Sequence, residues 1–257
     1  MEHHNHEHEE GVKISRTQMN INQNFLSIPM SIIIAGLLIA GALYLGTSKG
    51  SSINAGNNTQ PQQVAQQPAG AAVDITKVKT TGEPFVGNPN APVTVAYWFD
   101  YQCPFCRRFE EDAMTQIMKD YVNTGKVKVV FKDFQFLGPD SQTAGLAERA
   151  VWEVAPDKFY SWHKAMYDKQ DNENGGWGNK ADIIALTKSL NIDSVKVEQL
   201  MTSKVSEYQK AMDADKAEGG AFGINGTPGT IIGKNLISGA QPYSAVKQLI
   251  DLALQGK

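Results

Sequence analysis

The chain holds two cysteines among 257 residues, and they stand three apart in Cys103-Pro104-Phe105-Cys106, directly after the apolar run Val93 to Phe99 (VTVAYWF). A run of β-branched and aromatic residues, then a short polar turn, then a helical pattern puts Cys103 where a strand hands over to a helix. Phe109, Ala113, Ile117 and Tyr121 recur at helical steps after the pair, with Arg107, Arg108, Glu110, Glu111 and Asp112 between them, which predicts an amphipathic helix. Pro104 falls in its first turn, where a missing N–H costs nothing.

That placement has a chemical consequence. First-turn N–H groups lack a helical partner and the helix dipole is positive there, so a thiolate at Cys103 is favoured over a thiol. Cys106, one turn on and facing the core, is expected to be more buried, and close enough to form a disulfide with Cys103 or resolve a mixed disulfide there. Two cysteines can also be half of a zinc site. The other half is missing: there is no second pair, and of the five histidines only His163 is not separated from the thiols by an apolar segment. A redox pair with no metal is the expectation.

A hydrophobic content of 41% in a chain of this length allows one large domain plus tails. The net charge is -3, with no basic field of the kind that nucleic acid requires.

Residues 1–26 begin MEHHNHEHEE, a polar His/Glu-rich tract that cannot fold alone and reads as a solvated tail or a weak site of divalent-metal capture. Residues 27–46 are predicted to be a transmembrane signal anchor. No charged residue occurs between Thr17 and Ser48, and the 18 residues Ile28 to Leu45 would span about 27 Å as a helix, close to a bilayer core of about 30 Å. The long preceding region and the length of the apolar run argue against a cleaved signal peptide. Lys13 and Arg16 on one side against Lys49 on the other lean towards an internal N-terminus. Residues 47–73, rich in Gly, Asn, Gln, Ser, Ala and Pro, form a flexible linker with a reach of roughly 25–30 Å.

Residues 74–257 are predicted to be the folded domain. Val73 to Val78 alternates as a short edge strand, Lys126 to Phe136 reads as a second core strand, and together with the cysteine helix this makes a βαβ unit. A helical insertion covers about 139–217, with a long helix from Ser194 to Ala217 that Gly219-Gly220 ends. Pro228 then stands before a strand at Thr230 to Ile232, Leu236 to Ser238 is another strand, and Pro242 to Ala253 is a last amphipathic helix. Trp98 is assigned to the core, His163 to a structural or exposed place on its helix, and Trp177 to a loop that is either near a groove or simply surface-packed.

Phe99-Asp100-Tyr101-Gln102-Cys103-Pro104-Phe105-Cys106, the later Gly226-Thr227-Pro228 and the helical block between them together resemble the DsbA family of thioredoxin-fold thiol–disulfide oxidoreductases, over roughly Lys79 to Leu254. The resemblance implies an α/β thioredoxin fold, a mixed sheet of four or five strands with an inserted helical subdomain. It implies that Cys103 is the exposed nucleophile, that Cys106 resolves, and that Pro228 is cis and faces the cysteines, with Thr227, Pro104 and Phe105 against the substrate. A cis Pro228 at a strand start would leave backbone groups free to pair with an extended substrate segment. The sequence departs from the family pattern twice. Family members often carry a buried acid six residues before the nucleophile, where this chain has Tyr97, so proton handling would pass to Asp100, Lys132 or Asp133. Phe105 replaces a frequent His or Tyr, so the Cys103 pKa is expected to be depressed only mildly within the general range of about 3.5–7.5.

The function so implied is a single-pass protein of the bacterial cytoplasmic (inner) membrane. Its domain on the extracytoplasmic, periplasmic side would introduce disulfide bonds into exported unfolded proteins, using no cofactor beyond the Cys103–Cys106 disulfide and reoxidised by a membrane quinone-linked disulfide generator. The same chemistry run the other way gives an isomerase or reductase, and a non-catalytic tethered peptide-binding module or chaperone is the reading from a different class.

Overall fold

Seven consecutive residues of strand β2 (Val93–Phe99) are all buried except Thr94, so this strand is covered on both faces and lies in the middle of the sheet. We describe residues 73–256 in a computed structural model of the chain; the polar tract, the apolar segment and the linker expected at 1–73 fall outside them, save for Val73. The sheet has five strands in the order β1-β3-β2-β4-β5. β3 (Val127–Asp133) runs parallel to β2, with Tyr97 opposite Phe131 and Trp98 opposite Lys132, while β4 (Gly229–Ile232) runs antiparallel on the other side, with Trp98 opposite Gly229. The short strands β1 (Phe85–Gly87) and β5 (Asn235–Ser238) form the edges.

Alternation along β2 divides the core. Val95, Tyr97 and Phe99 face the cysteine helix in the larger cluster, while Ala96 and Trp98 face a smaller one with Val73, Val78, Phe134, Ile224 and Ile231.

A parallel pair needs a crossover, and helix α1 (Pro104–Phe109) begins it. The helix continues without a break through a wide i→i+5 turn at Glu110–Met114, the short α2 (Thr115–Ile117) and a second wide turn at Met118–Val122. The sequence pattern explains this underwinding. Phe109, Ala113, Ile117 and Tyr121 are spaced by four, and at 3.6 residues per turn such a row drifts off the buried face. The wider turns keep all four buried. They also turn Glu110, which periodicity put on the polar face, into the interior, where it is 2% exposed.

The inserted block consists of α3 (Pro139–Val154), α4 (Phe159–Lys169), α5 (Lys180–Ser189), α6 (Ser194–Ser203) and α7 (Val205–Ala221), and α8 (Tyr243–Leu254) closes the chain against β2 and β4. Asn179 caps α5 by accepting from the N–H groups of Ala181 and Asp182, and Asp193 caps α6 by accepting from Lys196.

Three expectations need correction. Val73 to Val78 is no strand: Asp74 accepts from the N–H of Thr76 and winds Ile75–Lys77 into a 3-10 turn, whose first N–H bonds to Gly233. The helix read across Ser194 to Ala217 is two helices that meet at Lys204, so that Val197 and Met201 pack in the helical block while Tyr208, Met212 and Asp215 pack from α7. Gly219-Gly220 does not end α7, which runs to Ala221. Gly219 is there for close approach, since a Cβ would lie 2.8 Å from Nε1 of Trp98, and that nitrogen donates to the Asp215 carbonyl at 2.9 Å. β1 was not foreseen.

Candidate active site

Cys103 is the N-cap of α1 and Pro104 its first residue, as the motif predicts. The Cys103 carbonyl receives the N–H groups of Cys106 and Arg107 at 3.1 and 3.2 Å, and the Cys103 N–H donates to the Asp100 carbonyl at 3.1 Å. Both cysteines are free thiols. Cys106 is fully buried, and Cys103, expected to be exposed, is only 4% so. The cover comes from the facing loop, because the pairing of β4 with β2 brings the turn before β4 over the start of α1. The Cys103 thiol donates to the Thr227 carbonyl at 3.4 Å, and the Thr227–Pro228 peptide bond is cis. Phe105, at 53%, is the most exposed large apolar side chain of the motif.

The two sulfurs have opposite environments. The neighbouring Cys106 thiol, and after it Thr227 and the Cys106 and Phe105 N–H groups, bring the Cys103 thiol down to about 6 against the cost of its burial. Burial, and next the neighbouring Cys103, push the Cys106 thiol well above its ordinary value.

The structure does not bring Asp100 or Lys132 to the sulfurs. The Asp100 carboxylate accepts from the N–H groups of Gln102, Phe136 and Leu137 at 2.8, 2.9 and 3.1 Å and from the Ser141 hydroxyl at 2.7 Å, so it staples the strand ends; its pKa is raised, with burial the largest cause. Lys132 points through the opposite face of the sheet, away from Phe131 and the cysteine helix. There it meets Asp215 and sits 3.4 Å from Glu83 and 2.9 Å from Glu218. Arg149 joins the same cluster through Glu83, Asp133 and Asp215, which also removes Asp133 from the thiols. Among the described residues, no group of three or more His, Cys, Asp or Glu is arranged to hold a metal ion.

Other residues support the motif without any signal in the sequence. Gln170, just past α4, donates to the carbonyls of Tyr101 and Cys103 at 2.6 and 3.1 Å, and Tyr167 donates to the Asp100 carbonyl at 3.2 Å. His163 is wholly buried between Tyr101, whose hydroxyl is 2.8 Å from Nδ1, and Glu110, 3.1 Å from Nε2. Helix α4 thus holds the turn that carries Cys103. Trp98 is fully buried, and Trp177 is partly buried against the main core.

A strand-to-helix dithiol facing a cis-proline loop, on a five-stranded mixed sheet with a helical insertion, defines the class of thioredoxin-fold thiol–disulfide oxidoreductases. The comparisons agree. The family model for Thioredoxin matches residues 79–252. Disulfide bond formation protein D of Bacillus subtilis is 30% identical over 179 residues, 68% of this chain and 79% of that protein. Probable disulfide bond formation protein D of Bacillus cereus is 27% identical over 66% of this chain and 78% of its own length. The crystal structure of oxidised BdbD from Bacillus subtilis superimposes with a TM-score of 0.66 at 27% identity, covering 73% of this chain and 99% of that one. The thiol-disulfide exchange protein α-DsbA2 of Wolbachia pipientis, at 24% identity and a TM-score of 0.60 over 67% of this chain and 87% of its own, shares the fold. The chain belongs to the thioredoxin family, as a DsbA-like thiol–disulfide oxidoreductase.

Proposed function

We propose that this oxidoreductase is a membrane-tethered, extracytoplasmic dithiol oxidase that donates a Cys103–Cys106 disulfide to exported, unfolded proteins. The observation that carries the reading is the asymmetry of the pair: the thiol at the helix start is acidified and its partner is not. Stabilising the Cys103 thiolate stabilises the reduced pair, which makes the disulfide a good oxidant.

In the reaction, a substrate thiolate attacks Cys103, the electron pair of the S–S bond leaves on Cys106, and a mixed disulfide forms. A second substrate thiolate then attacks the substrate sulfur and releases Cys103, so that the substrate gains a disulfide and both cysteines are left reduced. Thr227 and Pro228, with Pro104 and Phe105, are the residues we assign to the substrate segment. The redox group is the cysteine pair itself. Reoxidation falls to a membrane quinone-linked disulfide generator, and the apolar segment at 27–46 with the linker at 47–73 would keep the domain at that bilayer.

The test is oxidative folding. The oxidised full chain in detergent should convert a reduced, unfolded, disulfide-containing protein to its disulfide form stoichiometrically, while Cys103→Ser should not. A Cys103→Ser chain with full activity would overturn the reading.

A further inference from the structure

Tyr97 is fully buried near the end of β2, and its hydroxyl has no hydrogen-bond partner. A buried unpaired hydroxyl is costly. Its ring is held on several sides: stacked on Phe99 and on Phe109 of the cysteine helix, both with centroids at 5.2 Å, and edge-on to Phe131 at 6.1 Å. The groups that interact with the hydroxyl are the Cys106 thiol, the Glu110 carboxylate and the Tyr167 phenol. Glu110 is already engaged, with one oxygen 3.1 Å from His163 Nε2 and the other accepting from the Tyr160 hydroxyl at 3.3 Å. Tyr167 already donates to the Asp100 carbonyl. The acceptor still to be gained is therefore Cys106, once its sulfur becomes an anion.

We propose that Tyr97 is a further catalytic residue, whose hydroxyl donates a hydrogen bond to the Cys106 thiolate as the disulfide opens. The proposal rests on the dithiol reaction given above. When an incoming thiolate bonds to Cys103, the S–S bond breaks and its electron pair goes to Cys106. That sulfur has no exposure to solvent, and a bare thiolate there would be strongly disfavoured. The phenol supplies the stabilisation that water cannot, and it keeps its own proton, since burial holds its pKa well above the usual tyrosine value. The proton that later neutralises Cys106 comes from solvent. In the reverse sense, the same bond stabilises the Cys106 thiolate that closes the disulfide during reoxidation.

Tyr97→Phe keeps the stacked ring and removes only the unpaired hydroxyl, so it should fold at least as well as the native chain. The measurement is the rate at which reduced glutathione opens the disulfide of the full chain at pH 7, with the equilibrium constant against glutathione. Loss of a hydrogen bond to a charged sulfur should slow opening by roughly tenfold or more. The equilibrium constant should stay within about twofold, because the reduced pair at pH 7 carries Cys106 as a protonated thiol and the hydrogen bond acts only while its sulfur is an anion. Tyr97→Met, also without the hydroxyl, should show the same slow opening. Tyr208→Phe, which removes another buried unpaired hydroxyl far along the chain in α7, should change neither quantity. If Tyr97→Phe opens within twofold of the native rate, Tyr97 only packs and the proposal falls while the oxidase reading stands. If the native chain forms no disulfide that glutathione can open, both fall.

Discussion

The thiol of Cys103 reaches the carbonyl oxygen of Thr227, 124 positions away in sequence, at 3.4 Å. Strand pairing makes this contact: β2 leads into the cysteine helix, β4 follows Pro228, and Trp98 lies opposite Gly229 in the ladder. The redox site is thus a property of the sheet as much as of the motif.

Cys103 should ionise near pH 6. Alkylation of the reduced chain by iodoacetamide should follow a single titration with a midpoint close to that value, with Cys106 silent until far higher pH. A folded pKa held below the ordinary 9.0 favours the folded reduced state once the thiol ionises. The stability of the reduced chain relative to the oxidised one should therefore grow from about pH 6 towards 9, and that gain should vanish as the pH falls through 6. Urea unfolding of both forms across this range checks it, and a midpoint near 8 or 9 would refute it.

Gln170→Ala should destabilise the domain by roughly 1–3 kcal/mol, because the Tyr101 carbonyl loses its buried donor. Denaturant midpoints at constant slope measure this. A change under about 0.5 kcal/mol would mean that the helical block does not hold the Cys103 turn.

The charge cluster behind the sheet gives a pair of contrasting outcomes. Arg149→Met leaves Glu83, Asp133 and Asp215 without their shared cation and should cost roughly 3–5 kcal/mol. Glu148 lies beside them, buried, with its pKa pushed well up by burial and then by Asp133. Glu148→Gln, which keeps the shape of the side chain and removes a charge whose burial is disfavoured, should accordingly cost far less than Arg149→Met. A raised carboxyl pKa favours folding at low pH and loses that contribution as pH rises. The Gln variant, free of that loss, should gain on the native chain as the pH is raised further. Equal costs for the two substitutions would contradict this.

Much of this was legible in the sequence. The apolar run, the cysteine spacing, the proline in the first turn and the later Thr-Pro pointed to the strand-helix unit and to the loop that faces it, because each signal is local. What was not legible depends on contacts between distant segments. Gln170 and His163 meet the cysteine turn across gaps of 69 and 62 positions, His163 meets Glu110 across 53, and nothing in their spacing marks them. Lys132 is a candidate for proton handling because Tyr97 stands where the family often has a buried acid, yet strand alternation sends it to the face opposite Phe131, into a cluster of carboxylates. The burial of Cys103 depends on the Thr227 loop, which the motif alone cannot supply. The wide turns after α1 were present in the four-residue apolar spacing, which reads as an ordinary helix unless the drift is counted.

The most direct test of the account is the reduction potential of the Cys103–Cys106 couple, measured on the full chain by equilibration in glutathione buffers with thiol alkylation as the readout. A dithiol stabilised by an acidified Cys103 predicts a value near or above roughly -150 mV, at which the disulfide is readily donated. A value near -270 mV or below would make the dithiol the stronger reductant and would contradict the assignment as an oxidase.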